Sequence, residues 1–267
     1  MGTYNVSAVG RDRRYWEDHL SEDSLLDSQA EWLGYSREMY SSWVREYMHA
    51  GRRVLKTDAF EEMRGPEVAR ALNEKFEQVV ITDLAYPALR LGARRTESPA
   101  KWVQTPVQGL PFANESFDAV ASFSTLDHFR TREEISTSLS ELARLTRRGG
   151  QLLITLDNAA NPVVALRNLL PHKLLASMGI APYEYGKTLG PSEFRKALTN
   201  AGWRVTKMQG AVHVPRVIAV AASARCGEGK PVSREGFRAC MRPFESLAKL
   251  PTNLLSGYFI LAVCERS

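Results

Sequence analysis

Apolar positions recur along this chain with two different periods, and the change from one to the other divides it. Between Tyr15 and His49 they fall at helical spacing, with Trp16, Leu20, Leu25, Leu26, Trp32, Tyr40, Trp43, Val44 and Tyr47 placed for one or more apolar faces. Residues 1–12 are polar and predict a loose lead-in. From Arg53 onward the pattern becomes short, nearly all-apolar runs: Arg53 to Leu55, Val79 to Asp83, Trp102 to Gln104, Phe117 to Phe123, Gln151 to Leu156, Trp203 to Met208 and Gly257 to Cys264. Runs this short with no polar side suit strands buried on both faces, as in a parallel sheet.

Amphipathic stretches separate these runs. Ile135, Leu139, Leu142 and Leu145 line one face of a helix over 133–146, Gly149-Gly150 supplies its stop, and Arg144, Arg147 and Arg148 suit its negative end. Further helices are predicted over 68–76, 86–95 and 191–202, the last with Ser192 as N-cap, and over 212–224 and 233–247. The alternation predicts an α/β fold: a Rossmann-like seven-stranded, mainly parallel sheet with helices on both faces. Residues 1–49 read as an N-terminal helical cap, and 50–267 as the α/β domain with insertions at about 158–190 and 211–256. The first insertion holds His172, Tyr183 and Tyr185, which either line a pocket for a ring-containing molecule or pack on one another.

Composition narrows the classes. With 267 residues, 44% hydrophobic and 24% charged, the chain has the profile of a globular protein with a substantial core. Thirty-five basic against 30 acidic residues leave +5, too mild a bias to indicate a nucleic-acid partner. Cys226, Cys240 and Cys264 are odd in number and lack metal-ligand spacing, so no metal site is expected and a reducing cytoplasm is the simple inference. No apolar stretch is long enough to span a bilayer.

Chemistry is concentrated where predicted strands end, which is where ligands bind in open α/β sheets. Ser124-Thr125-Leu126-Asp127-His128 crowds polar groups after the fourth strand. Asp127 and His128 are the candidate proton acceptors, since imidazole side chains in general change charge near neutrality. The plainer alternative has Asp127 capping a helix and His128 packed beneath it. Asp83 ends the second strand, where a carboxylate can accept from both ribose hydroxyls of a nucleoside or cap the next helix. Asp157 and Asn158 end the fifth strand, either as a turn or as acceptor contacts.

Leu110-Pro111-Phe112 followed by Ser116-Phe117-Asp118, together with RLTRRGGQLLITLDN, resembles the class I S-adenosylmethionine-dependent methyltransferases, particularly the quinone-biosynthesis branch. VVITDLAYPAL around Asp83 is similar to that family's second strand. The resemblance implies S-adenosylmethionine as cofactor, with Thr57, Asp58, Asp83, Leu84, Gln108 and Ser124 as its contacts. It also implies a small-molecule acceptor methylated at oxygen or carbon, and leaves a homodimer open. The chain departs from the family in two places. Its first strand runs into Lys56-Thr57-Asp58-Ala59-Phe60-Glu61-Glu62, without the usual glycines, and Thr105-Pro106 stands where an adenine-binding acid is usual. Asp58 either receives the cofactor ammonium or caps a following helix. These departures keep an alternative open: a non-methylating member of the fold, acting as a cyclase, an eliminase or a binding protein.

Overall fold

A computed structural model describes residues 6–20, 29–171, 185–226 and 232–267. The expectations for His172 and Tyr183 and for Leu25 and Leu26 lie outside those residues. In chain order the strands are β1 (Gly51–Lys56), β2 (Phe76–Asp83), β3 (Lys101–Gln104), β4 (Phe117–Ser122), β5 (Thr146–Asp157), β6 (Trp203–Ala211) and β7 (Phe259–Arg266). They form one sheet in the order β3-β2-β1-β4-β5-β7-β6. The first five strands pair in parallel, and β7 runs antiparallel to both β5 and β6. The seven-stranded, mainly parallel sheet is therefore as the apolar runs predict.

The side-chain alternation of the central strands assigns two cores. Val54, Val79, Ile81, Ala119, Ala121 and Leu153 pack to one side, while Leu55, Val80, Val120, Leu152 and Ile154 pack to the other. The first side is covered by α2 (Ala30–Tyr47), α3 (Glu67–Asn73) and α4 (Tyr86–Thr96). The second is covered by α5 (Arg132–Leu145) and by the helix Pro191–Asn200. That helix is α7, after α6 (Pro162–Leu169); α8 (Arg216–Ala224), α9 (Arg234–Glu245) and α10 (Asn253–Ser256) fall between β6 and β7.

Several local expectations are corrected. The polar start of the chain is not loose throughout, because α1 spans Val6–His19. Asp58 caps no helix: α3 begins only at Glu67, after Pro66. Asp83 is not the N-cap of α4 either, since Ala85 holds that position. Gly190, not Ser192, precedes α7, and the Glu193 carboxylate accepts from its N–H at 3.2 Å. α5 ends at Leu145, so Arg147 and Arg148 already belong to β5. Arg147 Nε reaches Asp118 at 2.7 Å, while Arg144 ties down the Leu-Pro-Phe loop through Phe112 O and Leu110 O. The helix at 212–224 starts late, at Arg216, because Val212 sits at φ 57 and Pro215 precedes the first turn.

Candidate active site

β1 delivers Lys56 into the protein interior. Its side chain is wholly buried, and Nζ lies 2.8 Å from Asp58 O, 3.1 Å from Asp58 Oδ1, 2.9 Å from Glu61 Oε2 and 3.0 Å from Glu62 Oε2. Burial on its own would lower this ammonium, but Asp58, Glu61 and Glu62 overcome that and hold it raised. Asp58 Oδ1 also accepts from Phe60 N, and Asp58 Oδ2 accepts from Thr125 Oγ1 at 2.8 Å. The loop that would ordinarily be shaped by glycine is thus shaped by charge, and Lys56 lies beneath the cleft floor rather than in it.

Asp83, at the end of the neighbouring strand, clamps the same loop. Its Oδ2 accepts from Ala59 N and its Oδ1 from Ala85 N, each at 2.8 Å. Burial pushes its carboxyl up to about 6 against these two amides. Thr105 N donates to Asp83 O at 2.9 Å and carries β3 into Pro106 and Gln108.

After β4 the backbone turns sharply, with Ser124 at φ 53, a left-handed conformation uncommon for a side-chain-bearing residue and often found at functional turns. Ser124 N donates to Thr155 Oγ1, and Ser124 Oγ donates to Asp127 Oδ2. Leu126–His128 then form a single 3-10 turn that sends its two polar side chains different ways. Asp127 is buried and accepts from Asp157 N at 3.1 Å. Burial, with the Asp157 charge beside it, holds its carboxyl well above the usual range. His128 instead stands on the cleft wall against the edge of Trp16, ring centres 4.6 Å apart.

One cleft runs across the carboxyl ends of β1 to β4, and Thr57, Asp58, Asp83, Leu84, Gln108 and Ser124 all border it, as does His128. Asp127 is not on its wall. α1 lies over the opening through Trp16 against His128, Glu17 Oε1 accepting from Gln104 Nε2 at 3.1 Å, and Asp12 opposite Arg130 at 3.6 Å. α2 contributes Tyr40, which stacks on Phe123 at 4.8 Å with nearly parallel planes. Tyr185 and Tyr258 also line the cleft. Tyr185 is positioned by backbone pairing of Gly186 with Asp127 O, and a Cβ at 186 would run into the Asp127–Phe129 backbone. Arg167 holds both tyrosines: its guanidinium lies 3.8 Å over the Tyr185 ring and donates to Tyr258 OH at 2.6 Å while pairing with Asp157.

Asn158 and Asp157 are thereby occupied. Asn158 Nδ2 donates to Leu254 O and Gly257 O, and Asp157 is the counterion of Arg167, so neither is on the cleft wall. The sequence reading missed Glu61, Glu62, Trp16, Tyr258 and Arg167 as site builders. Two adjacent glutamates in the loop that follows a buried strand were the available signal for the first pair; nothing local marks the other three.

The donor set suits a nucleoside cation. Carboxylates stand at the ends of adjacent strands, Phe60 borders the cleft with Arg64 over its ring at 4.1 Å, and the Lys56 side chain leaves the hollow open.

Residues 64–154 match a methyltransferase domain family. A demethylmenaquinone methyltransferase from Thermobifida fusca (strain YX) is 37% identical over 82 residues, 29% of this chain and 33% of that protein, so the match spans about a third of that curated relative. Among solved structures, the methyltransferase from the complex with the Haloferax volcanii Trm112 methyltransferase activator superposes with a TM-score of 0.58 at 16% identity. It covers 95% of this chain and 96% of that one. An S-adenosylmethionine-dependent methyltransferase from Methanosarcina mazei gives 0.56 at 13% identity, covering 84% and 96%. Residues 64–154 thus match a methyltransferase domain family, and the chain has the fold of these methyltransferase structures.

Proposed function

We propose that this chain methylates a small, apolar, ring-bearing acceptor at an oxygen or a carbon, using S-adenosylmethionine. The observation that carries the reading is the pair of carboxylates, Asp58 and Asp83, at the ends of adjacent strands on a cleft whose other wall is aromatic. When bound, the cofactor supplies an electrophilic methyl group on a sulfonium. Asp83 is placed for the ribose hydroxyls, because each of its oxygens keeps a second lone pair after accepting from Ala59 N and Ala85 N. Asp58 is the acceptor for the cofactor ammonium, Leu84 and Gln108 border the adenine, and Thr57 and Ser124 border the reacting end.

His128 is the group to take a proton from a hydroxyl acceptor, since of Asp127 and His128 it alone borders the cleft. Trp16, Tyr185 and Tyr258 offer apolar ring surface to the acceptor, and α1 over the opening keeps water from the reacting atoms. An opening roofed by a helix favours a small acceptor over a polymer. No helix among the described residues is long and apolar enough to cross a membrane. The three free cysteines favour a reducing compartment, so action in the cytoplasm is part of the proposal.

Incubation with methyl-labelled cofactor and fractionated cell extract tests the acceptor class. Label is expected in low-mass material extractable into organic solvent. Label confined to RNA or protein would overturn the acceptor assignment. The non-methylating reading draws on one observation, that both Asp83 oxygens already accept from backbone amides; it predicts cofactor-independent consumption of a small substrate.

A further inference from the structure

Lys56 is surrounded by more negative charge than a structural lock requires. One ammonium faces Asp58, Glu61 and Glu62; Lys56, Glu61 and Glu62 are buried, and Asp58 is partly buried at the cleft. Glu62 Oε1 has no hydrogen-bond partner, and Asp83 adds a fourth carboxylate to the same loop. Buried acids in excess of their counterions are costly unless protonated or matched by a cation from outside. Asp58, Glu61 and Asp83 border the cleft, so a ligand there meets this surplus directly.

Resting on the cofactor assignment above, we propose that Glu61, held in place by Lys56, is a specificity-determining residue. It makes the cleft favour the sulfonium form of the cofactor over its thioether product, releasing a proton to solvent as the cation enters. The sulfonium form carries one more positive charge than the thioether, and the surplus carboxylates distinguish the two by that charge. Burial, with Asp58 and Glu62 nearby, pushes Glu61 up to about 8 against the pull of Lys56. Burial likewise carries Glu62 to about 7 and Asp83 to about 6, so protons are held there near neutrality. Arg64, over the Phe60 ring, and Arg37 of α2, paired with Glu67 of α3 at 2.8 Å, line the same cleft. Thr125 Oγ1 completes the shell through Asp58.

Calorimetric titration of the full chain with S-adenosylmethionine and with S-adenosylhomocysteine, at pH 6 and pH 8 and in two buffers of different protonation heat, tests this. The sulfonium form should tighten by about tenfold between these pH values, the thioether by much less, with close to one proton released near pH 7. Glu61→Gln should cut the proton release by more than half and lower the sulfonium-to-thioether preference by about tenfold. Equal pH dependence for both ligands, no proton release, or an unchanged preference in Glu61→Gln would overturn the inference while leaving the cofactor assignment standing. Failure of both ligands to bind the unaltered chain would overturn the two together. Should Glu61→Gln not fold, the two-ligand, two-pH comparison on the unaltered chain decides by itself.

Discussion

His128 faces the cleft against Trp16, whereas Asp127, one residue earlier, spends its carboxylate on Ser124 and the Asp157 amide. Their substitutions should therefore behave differently. Asp127→Asn keeps the side-chain shape and an oxygen to accept from Asp157 N, its amide can donate to Ser124 Oγ in place of accepting from it, and it removes a carboxyl whose charged form burial already disfavours. It should cost no more than about 1 kcal/mol of stability and leave turnover nearly intact. His128→Gln should lower turnover of a hydroxyl acceptor by roughly 10²–10⁴ with little change in cofactor affinity. Steady-state kinetics and calorimetry on the two variants check this, and loss of turnover in Asp127→Asn alone would reverse the assignment. The sequence brought both residues to the right strand end but could not separate them. A single 3-10 turn points successive side chains in different directions, and no periodicity in so short a turn reveals which one faces the ligand.

The loop after β1 and the helices over the cleft carry predictions of their own. Glu61, Glu62 and Asp83 are raised above ordinary carboxylates, so the folded chain holds protons that the unfolded chain gives up. Their stabilising contribution is whole below about pH 4 and drains as the pH rises through about 6 to about 8. Thermal denaturation of the free protein should show a melting temperature falling across that window, with a shallower fall in Glu61→Gln. A melting temperature that rises from pH 5 to pH 8 would contradict the charge arrangement. Phe123, buried under Tyr40, joins α2 to the sheet, and Phe123→Ala should cost about 3–5 kcal/mol in denaturant unfolding.

At this scale the strands were readable because each is a short apolar run, and α5 because its apolar face repeats faithfully. The limits of α5 and β5 were not, since Gly149 at φ 70 sits within the strand rather than ending the helix. The β1 loop could not be read either: a lysine at a strand end looks like an exposed charge until three acids, Asp58, Glu61 and Glu62, are seen folded around it.

Across the whole molecule, the strand order places β1 and β4 side by side with β2 and β3 on one flank, so residues from Thr57 to His128 meet at one end of the sheet. That convergence follows from parallel strands linked by helices and was predictable once the strands were known. The cover supplied by α1, Tyr185 and Tyr258 was not, because it depends on contacts between segments far apart in sequence. The claim on which the account turns is that a nucleoside cofactor can be seated here although charged side chains replace the usual glycines. Calorimetric titration of the full chain with S-adenosylhomocysteine tests it most directly. The account predicts an affinity on the order of micromolar, weakened at least about tenfold by Asp83→Asn. Absence of binding heat at about millimolar ligand, in a chain whose folding is confirmed, would contradict it.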